Sequence, residues 1–436
     1  MSDGLLIKGG RVLSFPGGLG GEADVLVRDG HIARLGSGID AGGAEVVDAS
    51  GCVVAPGFVD LHVHLREPGM EYKEDVASGS RAATVGGFSA MFCMPNTDPP
   101  IDNSSVAEYV FDRGVDEGLC MVLPHGCITN GRKGQTLAPM GEMGKCRAGV
   151  RGFSDDGSPV SDSEIMRRAM EYARTMGALI ISHSEELSLS AGGQMNEGYY
   201  STRLGLRGIP PESEQIGVFR DICLAEKTGA RLHLAHLSTA RSVELVRDAK
   251  KRGLPVTCEV TPHHFSLDES CLLTYDSNFK MNPPLRSPAD IEALLEGLAD
   301  GTIDAIATDH APHASHEKEA EFDHAEFGVV GLETCLALVV TKLVDAGVLT
   351  LEQAVEKMTR VPASVMDMER WGYRPCVVEG EPANLVVFDP ELEWTVDPLE
   401  FRSRSRNTPF AGWKVRGKVR HTVFKGNLVV RDGDLG

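Results

Sequence analysis

The chain has 436 residues, 42% hydrophobic and 24% charged, with a formal net charge of −20. A pI near 5.1 and a mean hydropathy of −0.12 fit a soluble globular protein with material for a large core, and they argue against nucleic acid or an anionic membrane as partner. An anionic small substrate stays open, because a few arginines set the potential inside a pocket.

The sequence opens without a basic segment followed by an apolar core, and no 18-residue apolar run occurs in it. A cytoplasmic protein is therefore expected. Ten cysteines lie far apart with no CxxC pair, several inside apolar runs such as Met91-Phe92-Cys93-Met94. They read as buried reduced thiols rather than a disulfide framework or a zinc ribbon.

Residues 1–55 show short strand patterns at 5–13 and 24–33, the second broken by Asp29-Gly30, a hairpin signal. The Gly17–Gly21 run resembles a phosphate loop, but no helical pattern follows it, so it reads as a turn. From about residue 56 apolar, β-rich runs alternate with stretches of helical period. Strands are expected at 57–64, 88–95, 120–128, 147–154, 178–183, 231–237, 255–261 and 304–309. Helices are expected near 74–86, 105–118, 161–177, 212–229, 239–253, 288–300 and 331–346. Ser161 with Glu164 suggests a capping box, and Ser287-Pro288 a proline in a first turn.

Eight strands with helical connections predict an α/β fold of the (β/α)8 TIM-like barrel type rather than an open sheet. Short strands return after about 375. Neither terminal segment can bury a core alone. The expected organisation is a barrel over 56–375 beside a small β-sandwich domain formed from 1–55 and 376–436.

In a parallel barrel the site forms where strands end. The first strand ends in His62 and His64, two residues apart and so on one face. Such a pair alone is more often structural than ligating. Arg66 extends the alternation and sets a cation beside them. Other strands end in Ser154-Asp155-Asp156-Gly157, Ser182-His183, His233-Leu234-Ala235-His236 and Thr308-Asp309-His310. Imidazoles and carboxylates without thiolates suit a catalytic metal, and so many suit a bridged pair of ions. The expected arrangement puts His62, His64 and Asp309 on one ion, His183 and His236 on the other, and Asp156 between. His233 competes with His236, although a separation of three sends it to the opposite face. Asp155 competes equally with Asp156.

Asp60-Leu-His-Val-His-Leu-Arg-Glu-Pro-Gly69, Met94-Pro-Asn-Thr97, Phe153-Ser-Asp-Asp-Gly157, Lys280-Met-Asn-Pro-Pro-Leu-Arg286, Thr308-Asp-His-Ala-Pro-His313, Gly331-Leu-Glu-Thr334 and Asn407-Thr-Pro-Phe410 together resemble class I dihydroorotases of the amidohydrolase superfamily. The resemblance covers nearly the whole chain. It implies a zinc-dependent barrel with two ions, one ion not being excluded, and it favours Asp156 as bridge. Many relatives bridge through a carbamylated lysine after the fourth strand; here Lys145 precedes that strand.

The implied reaction is the reversible cyclisation of N-carbamoyl-L-aspartate to L-dihydroorotate in pyrimidine biosynthesis. A metal-bound hydroxide would attack, with Asp309 as proton shuttle. Arg66, Asn96 and Asn282 match the family's carboxylate clamp, His313 another substrate contact, and Phe327 and Gly328 the backbone contacts. Arginine suits this role because its guanidinium pairs a carboxylate bidentately. The resemblance also implies a homo-oligomer and leaves aspartate transcarbamoylase open as a partner. The rivals are an allantoinase or hydantoinase-type amidase, disfavoured by Arg66, and a non-catalytic transcarbamoylase subunit, disfavoured by the four histidines. The acidic stretch 315–327 reads as a solvated loop able to act as a lid.

Overall fold

The computed structural model describes residues 4–13 and 20–436, so of the Gly17–Gly21 run residues 17–19 lie outside the described residues. Both ends of the chain build one nine-stranded sheet. It runs from His31–Gly36 through Glu22–Arg28, Leu5–Val12, Val53–Pro56, Leu385–Thr395, Lys414–Phe424 and Asn427–Arg431 to Asp434–Leu435, with Glu45–Asp48 also paired to Leu5–Val12. Val53–Pro56 is the seam, parallel to Leu5–Val12 and antiparallel to Leu385–Thr395. Ile7, Val25 and Val54 from one end pack with Leu385, Val387 and Val423 from the other. Each half thus buries what the other leaves bare. Asp29 and Gly30, both at positive φ, turn the chain between the paired Arg28 and His31, the geometry that suits a two-residue hairpin.

The barrel strands are Phe58–Val63, Phe88–Cys93, Met121–Pro124, Gly152–Phe153, Leu179–Ser182, Arg231–Leu234, Val256–Val260 and Ala305–Ile306. Neighbours pair in parallel. Single bridges Gly126↔Phe153 and Val63↔His310 join the two arcs into a ring. Val59, Leu61, Phe92, Leu123, Ile181 and Ala305 pack in one cluster with Tyr373, whose hydroxyl donates to Gly57 O at 2.9 Å.

Helices occupy the expected intervals. Ser287 caps Pro288–Ala299 with Asp290 completing the box. The cap of Ser163–Met176 differs from expectation: Asp162, not Ser161, accepts from Glu164 N and Ile165 N at 2.8 and 3.1 Å. A carboxylate one residue nearer the first free amides takes the position from the serine. The stretch expected as a helix near 331–346 is α-helical at Cys335–Val339 and then widens to a π-turn over Val340–Val344. Helices at Leu187–Ser190, Tyr199–Leu204, Leu351–Met358 and Arg360–Val365 were not anticipated. Among the described residues no helix is long and apolar enough to cross a membrane.

Candidate active site

Six side chains from five strand ends converge on the barrel rim. His62 Nε2 lies 3.4 Å from Asp156 Oδ1 and 3.5 Å from Asp309 Oδ1. His64 Nε2 lies 3.0 Å from Asp309 Oδ1 and 3.7 Å from Asp156 Oδ2. His183 Nδ1 is 3.4 Å from Asp156 Oδ1 and 3.0 Å from His236 Nε2. The donor atoms form three overlapping groups: His62, His64 and Asp156; His62, His236 and Asp309; and Asp156, His183 and His236. Asp156, His62 and His236 each belong to two of them, and of these Asp156 is the carboxylate.

The far ring nitrogens decide which atoms face inward. His62 Nδ1 donates to Glu259 Oε1 at 3.0 Å, His64 Nδ1 to Asn96 Oδ1 at 2.8 Å, and His183 Nε2 to Glu185 Oε2 at 3.1 Å. Each of these bonds fixes a tautomer that turns a bare lone pair toward the two aspartates. His62 Nε2 and Asp156 Oδ1 are buried and meet no hydrogen-bond partner among the described residues. Lone pairs and carboxylate oxygens facing one another without protons require a cation between them, so the donor set fits a divalent metal.

The electrostatics show the same demand for positive charge, which protons on the imidazoles meet where no metal is bound. Burial opposes charge on His62, yet Asp156 and Asp309 hold its imidazole well above the usual range. Against the same penalty Asp156 and Glu185 push His183 up to about 10. Burial wins at His64, which is lowered. Asp309 is depressed despite its burial, chiefly by His62 and His64.

Of the competitors, His233 turns away: its Nε2 is 3.1 Å from Glu259 Oε2 and its Nδ1 2.8 Å from Thr257 Oγ1. Asp155 is likewise engaged elsewhere, accepting from Ile128 N and Thr129 N at 2.8 and 3.1 Å and from the Thr129 hydroxyl. His236 and Asp156 are the members brought to the cluster.

Arg66 reaches the rim by a different route from the one expected. The strand ends at Val63, and Arg66 sits at φ +60°, so no strand alternation carries it. It is buried, with Nε donating to Pro312 O at 3.2 Å and Nη2 lying 3.2 Å from His313 Nε2. Its guanidinium meets no carboxylate at ion-pair distance among the described residues. His236 at φ +29° and Asp309 at φ +47° share the left-handed conformation, which for such residues costs on the order of 1–3 kcal/mol each and gathers at functional sites.

His313 lies 2.8 Å from Phe327 O, and Gly328 at φ +138° packs so closely that a Cβ would stand 2.7 Å from that of Ala311. Asn96 and Asn282 contact the histidines rather than Arg66. Asn96 spends its carbonyl on His64, and Asn282 Nδ2 lies 3.3 Å from His183 Nε2 and donates to Glu185 Oε2 at 3.2 Å. Glu259, Glu185 and Asp60 were not singled out from the sequence. Asp60 accepts from Thr308 N at 3.1 Å and from His62 N at 3.0 Å, locking the first strand to the last. Glu259 had a signal, a lone carboxylate inside an otherwise uncharged barrel strand.

A family model described as Dihydro-orotase-like matches residues 51–242. The dihydroorotase of Geobacter sp. (strain M21) is 51% identical over 98% of this chain and 100% of its own length. That of Pelotomaculum thermopropionicum is 52% identical over 98% and 99%. The chain belongs to the dihydroorotase family. Among solved structures, an L-hydantoinase (dihydropyrimidinase) from Arthrobacter aurescens superposes with a TM-score of 0.87 at 27% identity, covering 100% of this chain and 98% of that one. Membership makes the chain a metal-dependent cyclic amidohydrolase, and the cluster offers the donor groups a metal ion needs.

Proposed function

We propose that the chain is a dihydroorotase of class I, interconverting N-carbamoyl-L-aspartate and L-dihydroorotate in pyrimidine biosynthesis. The observation that carries the substrate choice is Arg66. A buried guanidinium beside the metal cluster, with no carboxylate at ion-pair distance among the described residues, is a receptor for a substrate carboxylate. Allantoin has no carboxylate to offer it.

His62, His64 and Asp309 would hold one zinc ion, His183 and His236 a second, with Asp156 shared. When bound, the metals supply an acidified water and polarise the ring carbonyl. The chain's own residues do the rest. Asp309, ionised at neutral pH, accepts the proton of the attacking water and returns it to the leaving ring nitrogen. Arg66 and His313 orient the carboxylate end. Asn96 Nδ2 and Asn282 face the substrate from the histidine side, and the Phe327 and Gly328 backbone meets the edge of the dihydropyrimidine ring. Glu259 and Glu185 keep His62 and His183 in one tautomer. The barrel is assigned to 56–375 and the β-sandwich to 1–55 with 376–436. A cytoplasmic homo-oligomer is the expected form, with aspartate transcarbamoylase a candidate partner.

The test offers dihydroorotate, allantoin and hydantoin to zinc-reconstituted protein, with metal analysis and sizing of the same sample. Ring opening confined to dihydroorotate, at two zinc ions per chain, is expected. Preference for allantoin or hydantoin would make it another cyclic amidase, and inertness toward all three a non-catalytic subunit.

A further inference from the structure

The acidic stretch after His313 is mostly exposed, as its composition suggests, but three of its side chains turn inward. Lys318, Phe322 and Ala325 are buried, because the stretch folds back and encloses a lysine. The Lys318 ammonium lies 2.7 Å from Glu326 O, 3.1 Å from Gly328 O and 3.2 Å from Lys280 O. An ammonium has three N–H donors, and here each finds one backbone carbonyl.

Those carbonyls belong to two segments, one at Lys280 and the other at Glu326–Gly328. Gly328 N donates to Lys280 O at 2.9 Å, and Asn407 Nδ2 also donates to Gly328 O at 3.0 Å. The neighbouring ammonium, Lys280 Nζ, donates to Phe322 O at 2.6 Å and stands 4.5 Å from the centre of the Phe327 ring. Glu317, one residue before Lys318, faces the opposite way: it pairs with Lys73 Nζ at 2.9 Å and accepts from the Tyr72 hydroxyl at 3.0 Å. Adjacent residues thus pin the stretch to the loop after the first barrel strand and to the segment behind Phe327.

We propose that Lys318 is a positioning residue: by bonding the carbonyls of Lys280, Glu326 and Gly328 it fixes the Phe327–Gly328 backbone in the orientation that meets the substrate. The inference rests on the reading of that backbone as a substrate contact. Several features support it. Glu326–Gly328 is flanked by His313, whose ring touches Phe327 O and Arg66, so a shift of the segment moves the carboxylate receptor with it. Gly328 occupies a conformation that side chains rarely adopt, and such a conformation persists only where its surroundings over-determine it. Burying a cation is costly unless it is fully hydrogen-bonded. Desolvation, reinforced by the Lys280 charge and eased by Asp276 and Glu326, draws the Lys318 ammonium down to about 7, so all three donors are present below that pH and one is lost above it. A fold that only needed to fill this space would do so with an apolar side chain.

Lys318→Met keeps the length of the side chain and removes all three donors. In zinc-loaded enzyme the KM for dihydroorotate should rise about tenfold, the scale of one lost hydrogen bond to a charged group, while kcat and bound metal stay within about twofold of wild type. Amides of residues 326–328 should exchange faster with deuterium in the variant. An unchanged KM, or a fall in kcat alone, overturns the proposal. If the variant does not fold, exchange in the wild-type holoenzyme decides: protection of 326–328 supports the staple, and exchange at the rate of an open loop overturns it. A wild type inert toward dihydroorotate would sink the assigned reaction instead, leaving the exchange result readable by itself.

Discussion

The two halves of the site are built on different principles. On the proposed assignment the metal half stands on strand ends: His62 lies within the first barrel strand, and His64, His183, His236 and Asp309 follow theirs by at most three residues. The substrate half stands on loops. Arg66 is held by Pro312 and His313, His313 N by Asn407 Oδ1 at 3.0 Å, and Gly328 by Lys280, Lys318 and Asn407. The proposed roles thus anchor reaction chemistry to the rigid ring and spread recognition over loops that can vary without disturbing it. The likeness in fold to an L-hydantoinase fits this division, since the same ring can serve a different ring substrate.

Asp309 is where the halves meet, and replacing it gives the largest expected effect. Asp309→Asn keeps the shape but cannot take a proton. Its kcat should fall by about 10²–10⁴-fold, with most of the metal retained. Turnover assays on samples of measured metal content check this, and near-normal turnover would show that the shuttle is elsewhere. Arg66→Met then probes the loop half alone. Losing a buried partner for the substrate carboxylate should cost about 2–5 kcal/mol of binding. That loss should appear in the KM for dihydroorotate and not in that for an uncharged cyclic amide. Equal losses on both substrates would mean that Arg66 supports the fold of the rim rather than the carboxylate.

The same division governs what could be read from the sequence. Alternation along the first strand placed His62 and His64 together, because strand geometry has a fixed period of two. The same argument does not carry from His233 to His236, which lies beyond Leu234 at φ +29°. The pattern also located eight barrel strands and the need of the two chain ends to pair, but not the seam strand Val53–Pro56. It could not place Arg66, whose position depends on a left-handed backbone and on a carbonyl 246 residues away. Nor could it choose Asp156 over Asp155, since the choice is made by Ile128 and Thr129, which use up the first carboxylate. The buried Lys318 was hidden by its acidic neighbours, because composition reports the average of a segment and not the few side chains that turn inward. The role of Asn96 shifted for a similar reason, as its carbonyl is committed to His64 before any substrate arrives.

A substitution on the strand side should be blind to the substrate, and Glu259 is the place to test that. Its two carboxylate oxygens each take an imidazole, His62 Nδ1 at 3.0 Å and His233 Nε2 at 3.1 Å. In Glu259→Gln one oxygen remains to accept from His62, but the amide nitrogen now faces His233, which must change tautomer to receive it. His62 keeps its orientation and loses basicity, because a neutral acceptor polarises its N–H less than a carboxylate does. Metal affinity should therefore fall by about 10–100-fold, measured by chelator competition. The ratio of KM for dihydroorotate to that for an uncharged cyclic amide should stay at the wild-type value once metal is saturating. A changed ratio would show that strain at His62 is transmitted to Arg66, and that the two halves are mechanically coupled. Unchanged metal affinity would mean instead that the backbone lock from Asp60 to His62 N already suffices to aim the ring.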